Sequence, residues 1–482
     1  MAEKKNNEIS SPSVRLKRVE INDMKNVRHG SVDLCSLSKK RGKDSSDMLG
    51  LYGPNGSGKT TFINAIDTVK AIVSGKALGK DFVRFINANA DTASIIIEFE
   101  LNYEDGNIGL VEYSVEISRL LRKKIDNDFG IELEPESYVD SEPEERLKIS
   151  NEKIKTNIYT DGSIGRQHTI IDTEYNLLCG DTTFKEIFGD SSDEKLEELK
   201  LLKLQTADAS TSYVFSDKMM LLLSEQKDRT KFFDLLLTLR TYVKRDLMII
   251  GTRFNAMAQL QNGTPIFFPG VNLPIVFNEK TVVNDKLYGL IVDVVSHINK
   301  LLCVIIPAVE IEIESHPTML KNGDSGMSVN LISVRKDALL KERFPFKYES
   351  AGVIRMVSLL FDYMKAFCDS SATLIVDELD SGIFEDLLGK LLFEFQESGK
   401  GQLIFTAHNL HPLEVLDKRF IRFTSLNSSD RYHRIRNVGA TNNLRDLYLR
   451  EIRNKDSELN CNVNLEDNSI KNVINKLKSD KL

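Results

Sequence analysis

The sequence predicts an α/β protein that combines a mixed sheet, an added antiparallel sheet and a mainly helical insertion. Three observations carry this prediction. The apolar run Met48-Leu49-Gly50-Leu51-Tyr52 leads into a glycine-rich loop and then into Phe62-Ile63-Asn64-Ala65-Ile66, a strand–loop–helix order. A second apolar run, Ala372 to Val376, ends in two carboxylates, Asp377 and Glu378. Residues 14–21, 31–34, 92–101 and 111–117 alternate apolar and polar side chains, as half-exposed strands do.

At 482 residues and 41% hydrophobic content the chain can bury a large core. No uninterrupted apolar run approaches the ~20 residues of a membrane span, so no membrane association is expected. Met1 to Asn7 lacks the apolar centre of a secretion signal, and 1–13 reads as a disordered leader. The five cysteines (Cys35, Cys179, Cys303, Cys368, Cys461) form no CxxC pair, which argues against a zinc site or a disulfide framework and fits a reducing cytoplasm. A net charge of −7 neither advertises nor excludes nucleic-acid binding, which depends on local patches.

In chain order, 14–21 and 31–34 suggest an antiparallel pair joined through Asn26-Val27-Arg28. Residues 53–61 read Gly-Pro-Asn-Gly-Ser-Gly-Lys-Thr-Thr and satisfy Gly-x-x-x-x-Gly-Lys-[Ser/Thr] at every fixed position. A triphosphate needs several N–H donors aimed at one point, and Gly53, Gly56 and Gly58 let the backbone turn sharply enough. The helix that follows adds the positive end of its dipole. Lys59 is suited to the β- and γ-phosphates and the Thr60 hydroxyl to Mg2+. Pro54, Asn55, Ser57 and Thr61 complete the nucleotide-binding loop.

Residues 92–101 and 111–117 are expected to pair. Arg119, Arg122, Lys123 and Lys124 form a basic cluster that is either solvated or in contact with a phosphate backbone. Residues 126–148 read as an acidic loop, and strand-like pieces return at 155–160 and 168–172. From 193 to 260 apolar residues recur at helical spacing, in runs too short for long coiled-coil arms. A loop (261–273), a helix (282–306, ended by Pro307) and a strand pair (309–313 with 327–332) follow. The segments are 14–185 and 280–425 for the main domain, 186–279 for the helical insertion and 426–482 for a basic, charged tail.

Glu349-Ser350-Ala351-Gly352 precedes an amphipathic helix marked by Val353, Met356, Val357, Leu360, Phe361 and Met364. Ser350 is a natural N-cap, or a serine presented to a phosphate. Asp377 is suited to hold Mg2+ and Glu378 to polarise an attacking water. Asp380 follows in Leu-Asp-Ser-Gly. The run 401–409 ends a further strand at His408, with His411 as the second candidate histidine.

These motifs, in this order, resemble those of ABC-type ATPase heads of the SMC and RecF kind. The resemblance implies ATP and Mg2+ as cofactors, a P-loop NTPase fold, and Asn26 and Arg28 in a turn on the adenine side; a solvated hairpin arginine is the other reading of Arg28. It implies that Ser350, Ala351 and Gly352 form a signature acting on nucleotide held by a second subunit, that Asp380 belongs to a D-loop at the dimer interface, and that His408 is a switch residue. The chain departs from that pattern in one respect: no glutamine lies between Thr61 and Arg166.

Within that class, Glu-Ser-x-Gly, Val-Asp-Glu-Leu-Asp and Thr-Ala-His-Asn with a short insertion resemble ATPases of the overcoming-lysogenization-defect type, which include phage-defence ATPases such as AriA of the PARIS system, the AbiL ATPase and PtuA. This implies a homodimer or higher oligomer, a phage-protein trigger and a separate effector, a TOPRIM- or HNH-type nuclease, since only about 70 residues follow His408 and no Asp-x-Asp pair is found there. A RecF-like clamp that binds DNA is the rival expectation. A transporter ATPase is a third, disfavoured by the absent glutamine and the insertion.

Overall fold

The computed structural model describes residues 12–34, 47–104, 107–121, 145–157, 159–160, 163–164, 166–174, 193–225, 231–251, 281–336, 341–434 and 443–453. The expected leader up to residue 11, Arg122 to Lys124, the loop 261–273, Arg436 and the tail beyond 453 lie outside them.

The strands are β1 (Ser13–Met24), β2 (Val27–Asp33), β3 (Asp47–Tyr52), β4 (Thr92–Asn102), β5 (Ile108–Leu121), β6 (Glu145–Thr156), β7 (Tyr159–Thr160), β8 (Ser163–Ile164), β9 (His168–Asp172), β10 (Leu247–Ile250), β11 (Thr281–Val283), β12 (Val309–Met319), β13 (Ser325–Lys336), β14 (Lys341–Pro345), β15 (Thr373–Val376), β16 (Gln402–Thr406), β17 (Ile421–Thr424) and β18 (Tyr432–His433). The helices are α1 (Lys59–Val73), α2 (Asp193–Asp208), α3 (Asp217–Ser224), α4 (Lys231–Arg245), α5 (Asp285–Ile305), α6 (Ala351–Cys368), α7 (Glu385–Ser398), α8 (Pro412–Val415) and α9 (Leu444–Arg453). The chain divides into two units, 1–34, 52–244 and 422–482 in the first and 35–51 and 245–421 in the second.

The first unit is built on a six-stranded antiparallel sheet of order β2-β1-β4-β5-β6-β9. Its period-two patterning is strict in β4, where Ala93, Ile95, Ile97, Phe99 and Leu101 are all buried. Phe62, Ile66 and Val69 line the buried face of α1. Tyr242 of α4 meets Phe99 edge-on, and Phe215 meets Tyr113 in the same way. Glu152 of β6 sits among these groups. Its carboxylate accepts from the Tyr113 hydroxyl (2.8 Å), the Ser212 hydroxyl (2.6 Å) and the Tyr213 and Val214 amides (2.8 and 3.3 Å). Burial raises its pKa, and the four donors offset only part of that.

The second unit contains a parallel sheet of order β10-β15-β16-β3. A smaller antiparallel sheet, β11-β13-β12 with β14 on β13, lies in the same unit. Against this antiparallel sheet lies a core in which Ile291, Val295, Ile298 and Leu302 of α5 join Val357, Leu360 and Phe361 of α6. At the amino edge of the parallel sheet the buried polar residues pair. Gln402 donates to Asp47 (3.1 Å) and accepts from Thr373 (2.9 Å). Lys365 of α6 meets Asp246 at 3.2 Å, both nearly fully buried.

Two expectations change. Leu247–Ile250, inside the stretch read as helical, is the parallel partner of the carboxylate strand. Four consecutive apolar residues carry no period, so the helix pattern just before them ran on by default. The strand β6 begins at Glu145, within the stretch read as a loop. One helix among the described residues, α5, is long and apolar enough to cross a membrane by length and composition, although Asp293 and Lys300 interrupt its apolar run; its Ile291–Leu302 stripe is buried in the core.

Replacing Glu152 by Ala strands four buried donors and should cost about 3 kcal/mol or more in urea melts. Because the folded carboxyl binds its proton more tightly than the unfolded one, its contribution to stability is greatest at low pH. That contribution falls as pH rises from the ordinary glutamate value toward the raised one. Glu152→Gln should remove that slope; an unaltered slope would show that burial does not govern this group.

Candidate functional site

The phosphate loop in the first unit is held from several directions. Gly58 has φ +97° and Gly56 φ +77°, left-handed values that favour glycine. A Cβ at Gly53 would fall 2.0 Å from the Thr424 hydroxyl oxygen and 2.6 Å from its carbonyl, so only glycine fits there. The Thr424 hydroxyl also donates to the Tyr52 carbonyl (3.2 Å) and hydrogen-bonds Ser57. The Tyr432 hydroxyl donates to the Gly58 carbonyl at 2.9 Å.

Asn26 is the central brace. Its side-chain amide donates to the Gly56 carbonyl, and its oxygen accepts from Thr61 at 3.0 Å. Its own carbonyl accepts from Arg431, which also donates to the Ser425 carbonyl at 2.8 Å. Arg431 is only 4% exposed. Thus Arg431, inside the stretch 426–482 read as a basic, charged tail, is an internal clamp, whereas Arg434 is exposed. Arg28 is exposed and contributes its amide to the Ser428 carbonyl.

Lys59 is buried and donates to the carbonyls of Gly53 (2.7 Å) and Pro54 (3.1 Å). Thr60, on the first turn of α1, is exposed along with Asn55 and Gly56. The Thr61 hydroxyl is committed to Asn26, so it braces the loop from behind.

In the second unit, β15 delivers Asp377 and Glu378 to the carboxyl edge of the parallel sheet. Pairing continues past the strand end: the Asp377 amide donates to Ile250 and the Leu379 amide to Thr406, both at 2.9 Å. Asp377 is 1% exposed. The Thr406 hydroxyl donates to Asp377 Oδ1 at 2.7 Å and accepts the Glu378 amide at 2.8 Å. Glu378 has φ +53°, an uncommon backbone for a residue with a Cβ. Arg355 of α6 donates to the carbonyls of Asp377 (2.8 Å) and Glu378 (3.0 Å). Burial pulls the Arg355 pKa below the guanidinium range, against Glu378, Asp377 and Asp380, which push it up.

Asp380 closes the turn by accepting the amides of His408 (2.9 Å) and Asn409 (2.8 Å). The His408 side chain is exposed. His411 faces the other way: its ring lies against Gly389 of α7 and pairs with Glu414 at 3.0 Å. Of the two histidines, His408 is the one beside the carboxylate turn.

Ser350, Ala351 and Gly352 are exposed at the start of α6. The Ser350 hydroxyl accepts the Val353 amide at 3.3 Å, so it caps the helix while remaining at the surface. Glu349 behind it is buried. It accepts from Arg335 (2.5 and 3.1 Å), from Ser333 (2.6 Å) and from the Ser350 amide (3.1 Å). Burial would raise its pKa, but these donors together hold it below the ordinary glutamate value.

Sequence reasoning passed over Thr406, Arg355, Thr424 and Tyr432, and read Arg431 as part of a basic tail. Thr406 stood inside the quoted Thr-Ala-His-Asn run; the others sit at separations that no local pattern reveals. Arg119 of the expected basic cluster donates to the carbonyls of Ile86 (2.6 Å) and Asn87 (3.3 Å).

No protein-family profile and no curated protein sequence matches the chain. Among solved structures it is similar to the SMC head domain from Thermotoga maritima (14% identity, 88% of this chain and 100% of that one, TM-score 0.35). It is also similar to an SMC head bound to the C-terminal winged-helix domain of ScpA (12%, 87% and 97%, TM-score 0.39). A third is the recombination mediator RecF with ATPrS (13%, 88% and 99%, TM-score 0.34).

If Asn26 braces the Gly53–Thr61 loop and that loop binds ATP as its sequence pattern leads one to expect, Asn26→Ala should weaken binding of a non-hydrolysable ATP analogue about tenfold by calorimetry, with little change in melting temperature. Equal affinity in the variant would show that the loop holds its shape without this contact.

Proposed function

We propose that this chain is an ABC-type ATPase that binds Mg-ATP between two copies and hydrolyses it. The supporting observation is the phosphate loop, with its lysine, its two left-handed glycines and the steric requirement for Gly53. The second unit supports the same chemistry with a buried aspartate and a neighbouring glutamate on a turn at a sheet's carboxyl edge. In this reading Gly53 to Thr60 cradle the triphosphate and Lys59 neutralises it. Thr60 and Asp377 are hard oxygen donors of the kind Mg2+ takes, and the ion would stabilise charge on the phosphates. Glu378 orients and polarises the attacking water as general base. His408 contacts the γ-phosphate, and the exposed Ser350 turn acts on nucleotide held by the partner copy.

The biological role follows from the motif combination. We infer a sensor and scaffold subunit of an anti-phage, abortive-infection system, which restrains a separate nuclease effector until a phage component is met. A DNA-maintenance clamp is the alternative. The inward-facing Arg431 and the backbone-tied Arg119 remove two of the basic residues such a clamp would use. Purification of the protein with its native neighbours, with and without ATP, separates the two. A co-eluting nuclease supports the defence role, and tight salt-dependent DNA binding with no protein partner supports the clamp.

Lys59→Ala should abolish nucleotide binding. Glu378→Gln should preserve binding, lower turnover about 100-fold or more and accumulate an ATP-bound dimer seen by light scattering. Normal hydrolysis by Glu378→Gln would remove Glu378 as the base. Ser350→Arg should lower turnover only in assembled protein; full activity would argue against a shared site.

A further inference from the structure

We propose that Thr406 is a positioning residue that sets the geometry of both carboxylates through a single hydroxyl. This rests on the reading of Glu378 as general base and adds a residue to it. The hydroxyl has one proton and two acceptor sites. It spends the proton on Asp377 Oδ1 (2.7 Å) and accepts the Glu378 amide (2.8 Å). The carbonyl of the same residue accepts the Leu379 amide (2.9 Å), so three successive residues of the turn are tied to Thr406. Thr406 is the last residue of β16, pairs with Leu51 of β3 and is 1% exposed, so its own position is set by the sheet.

The consequence for Glu378 is conformational. A non-glycine residue at φ +53° persists only where its surroundings hold it. The hydrogen bond from its amide to the Thr406 hydroxyl holds it from one side and the hydrogen bond from Arg355 to its carbonyl from the other. Without the hydroxyl, the Glu378 amide loses its acceptor, and the backbone can relax toward an ordinary φ. The side chain then leaves the direction that the turn imposes. Asp377 loses the donor that orients its carboxylate in the same step. Thr406 never needs to touch nucleotide or water to affect the rate.

The test uses full-length protein and three substitutions at this position, Thr406→Val, Thr406→Ser and Thr406→Ala, beside Glu378→Gln. Steady-state ATP hydrolysis gives kcat and KM, binding of AMP-PNP gives affinity, and thermal melts report folding. Thr406→Val keeps the shape and loses the hydroxyl; it should lower kcat about 30-fold with KM and AMP-PNP affinity within about threefold. Thr406→Ser should restore kcat to within about threefold of the wild type. In the Glu378→Gln background, Thr406→Val should lower the residual rate by a clearly smaller factor than in the wild type, because the part of its effect that acts through Glu378 is already lost and only the part through Asp377 remains.

Wild-type kcat in Thr406→Val beside an inactive Glu378→Gln would overturn the role of Thr406 and leave the base standing. An active Glu378→Gln would overturn the base and this inference with it. Loss of folded protein in both Thr406→Val and Thr406→Ala would also overturn it, in favour of a hydroxyl needed only for the fold.

Discussion

Tight turns at the carboxyl ends of strands cannot satisfy their own backbone, and much of this structure answers that constraint. The Gly53–Thr61 loop turns through left-handed glycines, and its carbonyls at Gly53, Pro54, Gly56 and Gly58 are met by side chains. The carboxylate turn runs through a left-handed Glu378 and a left-handed Gly382. Backbone pairing absorbs only part of the polar groups of either turn. Each is completed by side chains from distant parts of the chain: Asn26, Thr424 and Tyr432 in the first unit, Thr406 and Arg355 in the second. The physical outcome is the same in both. A loop with few intrinsic restraints becomes a fixed arrangement of donors and carboxylates, as preorganised chemistry demands.

Buried charge is handled in two distinct ways. Glu349 is met by a forked guanidinium and two further donors, and the cation leaves its pKa below the usual value. Glu152 is met by four neutral donors and no cation, and burial raises it. The difference follows from desolvation: neutral hydrogen bonds return only part of what water supplied, whereas a paired charge returns more. Glu349 therefore holds the turn behind Ser350 as a carboxylate. Glu152 is a polar hub whose proton affinity rises on folding.

The basic residues show how composition misleads about partners. Arg431 and Arg119 stand in charged runs, yet both point at backbone carbonyls of their own unit. A guanidinium presents five donors on a flat fork, which suits it to gathering several carbonyls in an irregular region. Counting such residues toward a nucleic-acid surface overstates the charge available to phosphate. Arg434 is exposed and counts toward it.

Locally encoded features were legible in the amino-acid order. The Gly53–Thr61 loop, the alternation of β4, the apolar stripe of α6 and its Ser350 cap each depend on contacts within a few residues, so spacing alone reports them. The strand Leu247–Ile250 was missed, because four apolar residues are compatible with helix or strand until a parallel neighbour accepts their backbone. Asn26 was placed near the nucleotide by resemblance, but its grip on Gly56 and Thr61 became visible only with the chain folded. The same holds for Arg431, Arg355 and Thr406. By itself the sequence determined which chemical groups are present and which short turns they sit in. Tertiary structure decided which remote side chains hold those turns in shape, because hydrogen bonds between residues some twenty to four hundred positions apart exist only once the sheets have brought them together.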